Sequence, residues 1–155
     1  MRVALIPAFS LLLLAACKPM GPIDHLPTDR PLVTHWSNMR TVDAGDGELV
    51  HQMRGHEHGL DDLSLVMTET RPGGGPALHW HVSDETHIVQ KGRVTYIIAD
   101  SVFTVEGPVV VNVPARVPHT FINAGDSLLD LIAVFSRDDF GGYHPLGPNP
   151  LLHDP

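Results

Sequence analysis

Residues 73–92 read GGGPALHWHVSDETHIVQKG. Three glycines and Pro76 break the chain at one end, and Lys91-Gly92 turns it at the other. Between these breaks His79 and His81 stand one residue apart. In an extended strand side chains alternate between faces, so both imidazoles point one way and Trp80 points the other. Glu85 follows His81 by four residues, and His119 stands further along. Two imidazoles on one face can hold a divalent ion, and a carboxylate with a third imidazole would complete the set. The same alternation puts Glu85, His87 and Val89 on one face, which turns His87 toward the interior.

Outward from this stretch the chain keeps to short runs of Val, Ile, Thr and Phe between turn residues. Strands are expected at Glu48 to Arg54, Leu63 to Glu69, Ala77 to His81, Glu85 to Val89 and Val94 to Ile98. Further ones are expected at Ser101 to Val105, Val109 to Val113, Pro118 to Asn123 and Leu128 to Phe135. In Leu63 to Glu69 the apolar Leu63, Leu65 and Met67 share a face opposite Ser64 and Thr68, the pattern of a half-buried strand. Long helical periodicity is absent, and 14 Gly and 14 Pro punctuate the chain. The fold class is therefore all-β, a sandwich or barrel, and 155 residues suit one domain. A net charge of −8 without any Lys/Arg cluster argues against nucleic acid as a partner. No P-loop, dinucleotide fingerprint or GxSxG elbow is present.

The N-terminus has the character of a targeting segment. Arg2 precedes the almost wholly apolar run Val3 to Ala16, which suits a signal peptide better than a membrane span. It ends Leu14-Ala15-Ala16-Cys17, which resembles the bacterial lipoprotein box; in that family the cysteine becomes the first mature residue and carries the lipid. Cys17 is the only cysteine, so an intrachain disulfide and a thiolate metal site are both excluded. The expected organisation is a signal peptide over 1–16, a lipidated Cys17 with a Pro-rich tether over 17–40, a barrel over 41–136 and an irregular tail over 137–155. Location in the cell envelope follows from this, anchored through lipid and facing the periplasm. Lys18 after the cysteine tilts the expectation toward the outer membrane.

With Gly73, His79-x-His81, Glu85 and Gly92 at their spacings, the stretch resembles the first motif of the cupin family. Gly107, Pro114, His119 and Asn123 resemble the second, with two departures. The interval from Gly107 to Pro114 is one residue longer than usual, and Arg116 stands where the family usually has Gly. The resemblance implies a six-to-eight-strand double-sheet jelly roll (a double-stranded β-helix) with a metal inside. It implies that His79, His81, Glu85 and His119 hold one divalent ion, of Fe, Mn, Ni, Zn or Cu. It also implies a homodimer and a small-molecule ligand or substrate.

Several roles stay open at this level. His87 could be a hydrogen-bonding support, a general base, an additional ligand or a wall of the pocket. Phe121 reads as pocket wall and Asn123 as a structural hydrogen-bonder. His56-Glu57-His58 is a second HxH, but it lies in a Gly-flanked loop and reads as solvated. His51 could face the barrel mouth. The functional expectation is a metal-dependent, dioxygenase-like enzyme acting on a small oxygen-chelating substrate, with His87 and Glu85 handling protons. The alternatives are a non-catalytic binder of a small ligand or of metal, and a metal-dependent isomerase. An enzyme calls for an enclosed apolar cavity beside the metal. A storage protein calls for a second metal site near His56 and His58.

Overall fold

Turn residues cut the chain into short extended segments, and these pair into two antiparallel sheets. The computed structural model describes residues 31–152. The expected signal segment, Cys17, the expected tether as far as residue 30, and residues 153–155 lie outside the described residues. The strands are β1 (Arg40–Gly45), β2 (Glu48–Met53), β3 (Ser64–Thr70), β4 (Leu78–Trp80), β5 (Glu85–Lys91) and β6 (Arg93–Ile98). They continue as β7 (Ser101–Glu106), β8 (Val109–Val113), β9 (His119–Asn123), β10 (Asp130–Phe135) and β11 (His144–Gly147). One sheet runs β1-β2-β3-β10-β5-β8 and the other β11-β4-β9-β6-β7. These are the two facing sheets of a jelly roll, with more strands than the six to eight that the resemblance implies.

The additional strands come from the two flanks. β1 pairs with β2 through the turn at Asp46-Gly47. β11 arises from the Gly- and Pro-rich segment after Ser136, whose sequence reads as irregular, and pairs with β4. Before β1, residues 36–38 form a single 3-10 turn that lays Trp36 on His51, ring centroids 4.0 Å apart. The core between the sheets is built by Val89, Val94, Tyr96, Phe121, Leu131 and Phe135, all buried.

On β3 the face carrying Ser64, Val66, Thr68 and Thr70 is the buried one, and Leu65 and Met67 are only half-buried. The apolar stripe is thus not the innermost face. The inner face lines a cavity, where threonine can find partners: Thr68 Oγ1 reaches Leu131 O and Thr70 Oγ1 donates to Glu48. The turn before β9 accommodates the second motif departure. Arg116 takes a left-handed conformation (φ 64°), the region a glycine enters freely, and its N–H donates to His81 O at 2.7 Å.

Candidate metal centre

The two sheets bring the ligating residues to one point from opposite sides. β4 and β9 are neighbours, and their single registered pair is His79 with His119. His81 follows directly on β4, and Glu85 opens β5 in the facing sheet. The result is a buried group, His79, His81, Glu85 and His119, whose ligand atoms all lie within 4.8 Å of one another. Among the described residues it is the one such cluster.

Each imidazole is turned by a hydrogen bond on its far side. His79 Nδ1–H donates to Ala77 O at 2.7 Å and His119 Nδ1–H to Val117 O at 2.9 Å. His81 Nδ1–H donates to Gly142 O, from a segment 61 residues away. With Nδ1 protonated, each ring presents a bare Nε2 lone pair to the centre, the tautomer that binds a metal. Burial, with His119 nearby, lowers the His79 pKa to about 3. Burial also lowers that of His81. Both rings are therefore neutral, as ligands must be.

Glu85 is oriented just as firmly. Its Oε1 accepts from His87 Nε2–H at 2.8 Å, and His87 Nδ1 accepts from the Tyr96 hydroxyl at 3.1 Å. Burial pushes the Tyr96 pKa well up, so its proton stays in place as the donor. Burial alone would also raise the Glu85 pKa. Hydrogen bonding and electrostatic interaction with His87 and His119 outweigh it and hold the carboxyl well below its ordinary value. The other oxygen, Oε2, lies 2.9 Å from His119 Nε2 and 3.7 Å from His81 Nε2. Yet Glu85 Oε2 and His119 Nε2 are both buried without a hydrogen-bond partner. They are close but not aligned on each other; both are aimed at the common centre. Two orphaned buried atoms cost several kcal/mol together, on the order of 1–3 kcal/mol each, and a cation between them removes that cost. The residues present therefore fit one divalent ion, with three imidazole nitrogens and one carboxylate oxygen as donors.

His87 points inward, but both its ring nitrogens are engaged, so it has none free to act as a base or as a further ligand. Phe121 lines the cavity and meets His87 edge-on at 5.6 Å. Asn123 Nδ2 donates to Thr70 O and Ser127 O, a structural role. Trp80 faces away from the centre and stacks on His144 at 4.0 Å. His51 points out of the barrel, between Thr41 Oγ1 and Glu69 Oε1, each at 3.1 Å. His56 and His58 sit on a 3-10 turn, bonded to Asp138 O and to Thr34 Oγ1.

Other participants were missed at the sequence level. Tyr143 stacks on His79 at 4.4 Å, and Gly142 fixes His81. Both lie in the tail, where only the Gly141-Gly142 pair hints at a tight path. Glu48 is buried in the cavity wall, and no local motif marks it. Burial pushes its pKa up to about 8, so it is an uncharged acid at neutral pH.

The centre opens into a cavity of about 380 Å³ with walls that include Val50, Val66, Phe121, Leu131 and Phe135. That size is typical of a small-molecule site. The support of Glu85 makes a first prediction. His87→Leu removes the donor to Oε1 and weakens divalent-ion affinity by about 10–100-fold, as loss of a group behind a metal ligand does. Titration of the chelator-stripped protein with Mn(II) checks this, and unchanged affinity would deny His87 its supporting role.

Comparison with known proteins agrees with this geometry. Residues 66–135 match the model of the cupin domain. No curated protein matches the sequence. Among solved structures, a variant of the Bacillus subtilis oxalate decarboxylase superposes with a TM-score of 0.69 at 20% identity, over 81% of this chain and 34% of that one. The formate complex of the Lactobacillus farciminis oxalate decarboxylase gives 0.65 at 20% identity, over 84% of this chain and 41% of that one. A further structure of the Bacillus subtilis enzyme, concerned with its Mn(II) centres, gives 0.64 at 19% identity, over 77% of this chain and 35% of that one. The chain thus spans about a third to two-fifths of the length of these proteins, and at such identities the likeness concerns the fold. The paired sheets and the matched region agree on a jelly roll of the cupin type, and its buried His/His/Glu/His group suits one divalent metal ion.

Proposed function

We propose that the chain is a metal-dependent enzyme that binds a small, anionic, oxygen-chelating substrate at the His79/His81/Glu85/His119 centre, with dioxygenase-type oxidation as its reaction. One observation carries this reading: the four donors converge at one point, and three of them, His79, His81 and Glu85, line a mainly apolar cavity. Four protein ligands would leave one or two positions of a five- or six-coordinate ion for water or substrate. Three neutral imidazoles and one carboxylate leave the centre with a net positive charge, which favours anionic oxygen donors.

A divalent ion there supplies Lewis acidity and, if redox-active, a route for electrons to dioxygen. The chain's own residues orient the ligating groups. His87 and Tyr96 fix the carboxylate, and Gly142 and Tyr143 hold His81 and His79. Glu48 holds a proton in the cavity wall, with its Oε1 accepting from Thr70 Oγ1 at 3.1 Å. In a dioxygenase both oxygen atoms enter the substrate, which also supplies the electrons, so no external reductant is required. The Mn(II) centres of the Bacillus subtilis oxalate decarboxylase make Mn(II) the first ion to test here. A metal-storage role is less well supported, because among the described residues the His56/His58 turn does not bring three ligating groups to one point.

The reading extends to location. The residues Leu14-Ala15-Ala16-Cys17 support lipid attachment at Cys17 and a site of action in the bacterial cell envelope. Metal analysis after native purification, followed by oxygen-uptake assays with flavonols, diketones and thiols on Mn-, Fe-, Ni-, Zn- and Cu-loaded protein, tests the activity. Uptake dependent on both metal and substrate supports it. No uptake with any metal-loaded form would sink the dioxygenase reaction while leaving the metal centre intact.

A further inference from the structure

A second recognition point faces the centre from the wall built by β2. Along that strand Glu48, Val50 and Gln52 point into the cavity, and Arg54, the next residue of the same phase, lines it too. Two polar atoms in this row, Gln52 Oε1 and Arg54 Nε, are buried without a hydrogen-bond partner. A guanidinium cannot shed its charge to escape this cost. Burying an unsatisfied charged donor costs more than an ordinary hydrogen bond contributes. An oxygen acceptor brought into the cavity would remove that cost.

The protein's own carboxylates are committed elsewhere. Asp139, which also lines the cavity, is held by Arg137 Nε at 2.7 Å and Nη2 at 3.1 Å, and its Oδ1 accepts from Gly141 N–H. Asp43 Oδ1 accepts from Gly45 N–H at 2.9 Å. Glu48 is bonded to Thr70 and is uncharged at neutral pH. Glu85 is occupied by His87 and the metal centre. Among the described residues no carboxylate lies within ion-pair distance of Arg54. The guanidinium carbon sits 5.7 Å above the Phe140 ring, a cation–π contact that steadies the side chain without supplying an oxygen.

Strand registers set the distance between the two points. Met53 pairs with Leu65, Ser64 pairs with Phe135, and Phe135 pairs with Glu85. Arg54 is therefore level with Ser64, and so with Glu85, three strands away. At about 4.8 Å per strand this is roughly 14 Å along the sheet, and less across its curve. Apolar groups of Val66, Ala133 and Phe135 lie in the cavity between.

We infer that Arg54, with Gln52 beside it, receives the distal carboxylate of a ligand whose other end chelates the ion at the His79/His81/Glu85/His119 centre. The ligand class is thus a short-chain dianion, with a chelating head, a hydrocarbon middle and a terminal carboxylate. A guanidinium fork matches a carboxylate through two parallel hydrogen bonds. The Gln52 amide, turned over, offers its NH2 to the same anion. This inference rests on the metal-chelation reading above, and the test separates the two.

The probes are 2-oxo dicarboxylates of five to eight carbons and the 2-oxo monocarboxylates of matching length, titrated calorimetrically into the full Mn(II)-loaded protein. At least one dicarboxylate binds about tenfold or more tighter than its monocarboxylate partner. Arg54→Met loses that preference, keeps its affinity for the monocarboxylates and keeps one Mn(II) per chain. Arg54→Lys retains part of the preference. Equal affinity for both series in the wild type, or an undiminished preference in Arg54→Met, overturns the role of Arg54 but not chelation at the metal. If neither series binds the loaded wild type, both the inference and the chelation reading fall. Should Arg54→Met not fold, the wild-type comparison of the two series still decides.

Discussion

Replacing His79 and His119 together by alanine abolishes stoichiometric metal binding by the barrel. The two residues are the registered pair that joins β4 to β9, and each presents Nε2 to the centre from a ring fixed through Nδ1. Removing both leaves His81 and Glu85, half the donor set. Loss of a single group behind a ligand already costs about 10–100-fold in affinity, so loss of two ligands weakens binding by at least about a hundredfold. The substitutions leave backbone pairing intact, and circular dichroism should still report a β-fold. Equilibrium dialysis with Mn(II) or Zn(II), read by elemental analysis, measures the outcome. One tightly held ion per chain in the double variant would show that the ligand set is wrong.

The largest effect on stability is expected at Gly75. A Cβ on this residue would sit 1.9 Å from Phe121 O. Neither backbone can yield easily. Phe121 is paired with Tyr96 across β9 and β6, and its carbonyl accepts from Asn149 Nδ2 at 2.9 Å. Gly75→Ala therefore destabilises by about 3 kcal/mol or more, which lowers the melting temperature by roughly 10 °C. Gly73 is the control. It has φ +75° but nothing within 4 Å of an added Cβ. Gly73→Ala carries only the cost of a left-handed conformation, about 1–2 kcal/mol. Thermal unfolding of the two variants side by side separates collision from conformation. Equal and small losses would mean that the close approach of Gly75 to β9 is not maintained.

The contrast between these two glycines shows how far the sequence could be read. The Gly73-Gly74-Gly75-Pro76 run announces a break, but it does not say that one glycine is needed for its φ and another for its missing side chain. The metal ligands were legible because the chemistry of His79, His81 and Glu85 is local: period-2 alternation and a short interval put them together. His119 joined them through its framing residues. His87 was legible in direction only. Its bond to Glu85 follows from the strand, but its second bond to Tyr96 depends on how β5 packs against the facing sheet.

The face of β3 was harder to assign. Alternation tells which residues share a side, and a core made solely of apolar groups would have taken Leu65 and Met67 inside. A cavity changes that rule, because Thr68 and Thr70 can bury their hydroxyls where Leu131 O and Glu48 accept them. The Glu48-Val50-Gln52-Arg54 row escaped notice for the same reason: a charged residue on a strand reads as solvent-facing until the barrel closes around it. Gly142 and Tyr143 are contributed from a tail with no strand signal, and pairing with β4 is what gives β11 its regular structure.

X-ray absorption at the edge of the bound metal, on natively purified protein, counts the donors around the ion. One ion per chain is expected, with three imidazole nitrogens and one carboxylate oxygen from the protein, completed by one or two exchangeable oxygen ligands. A fourth imidazole would mean that His87 leaves its bond to Glu85 to become a ligand. Two imidazoles or fewer, or no bound ion, would contradict the centre itself.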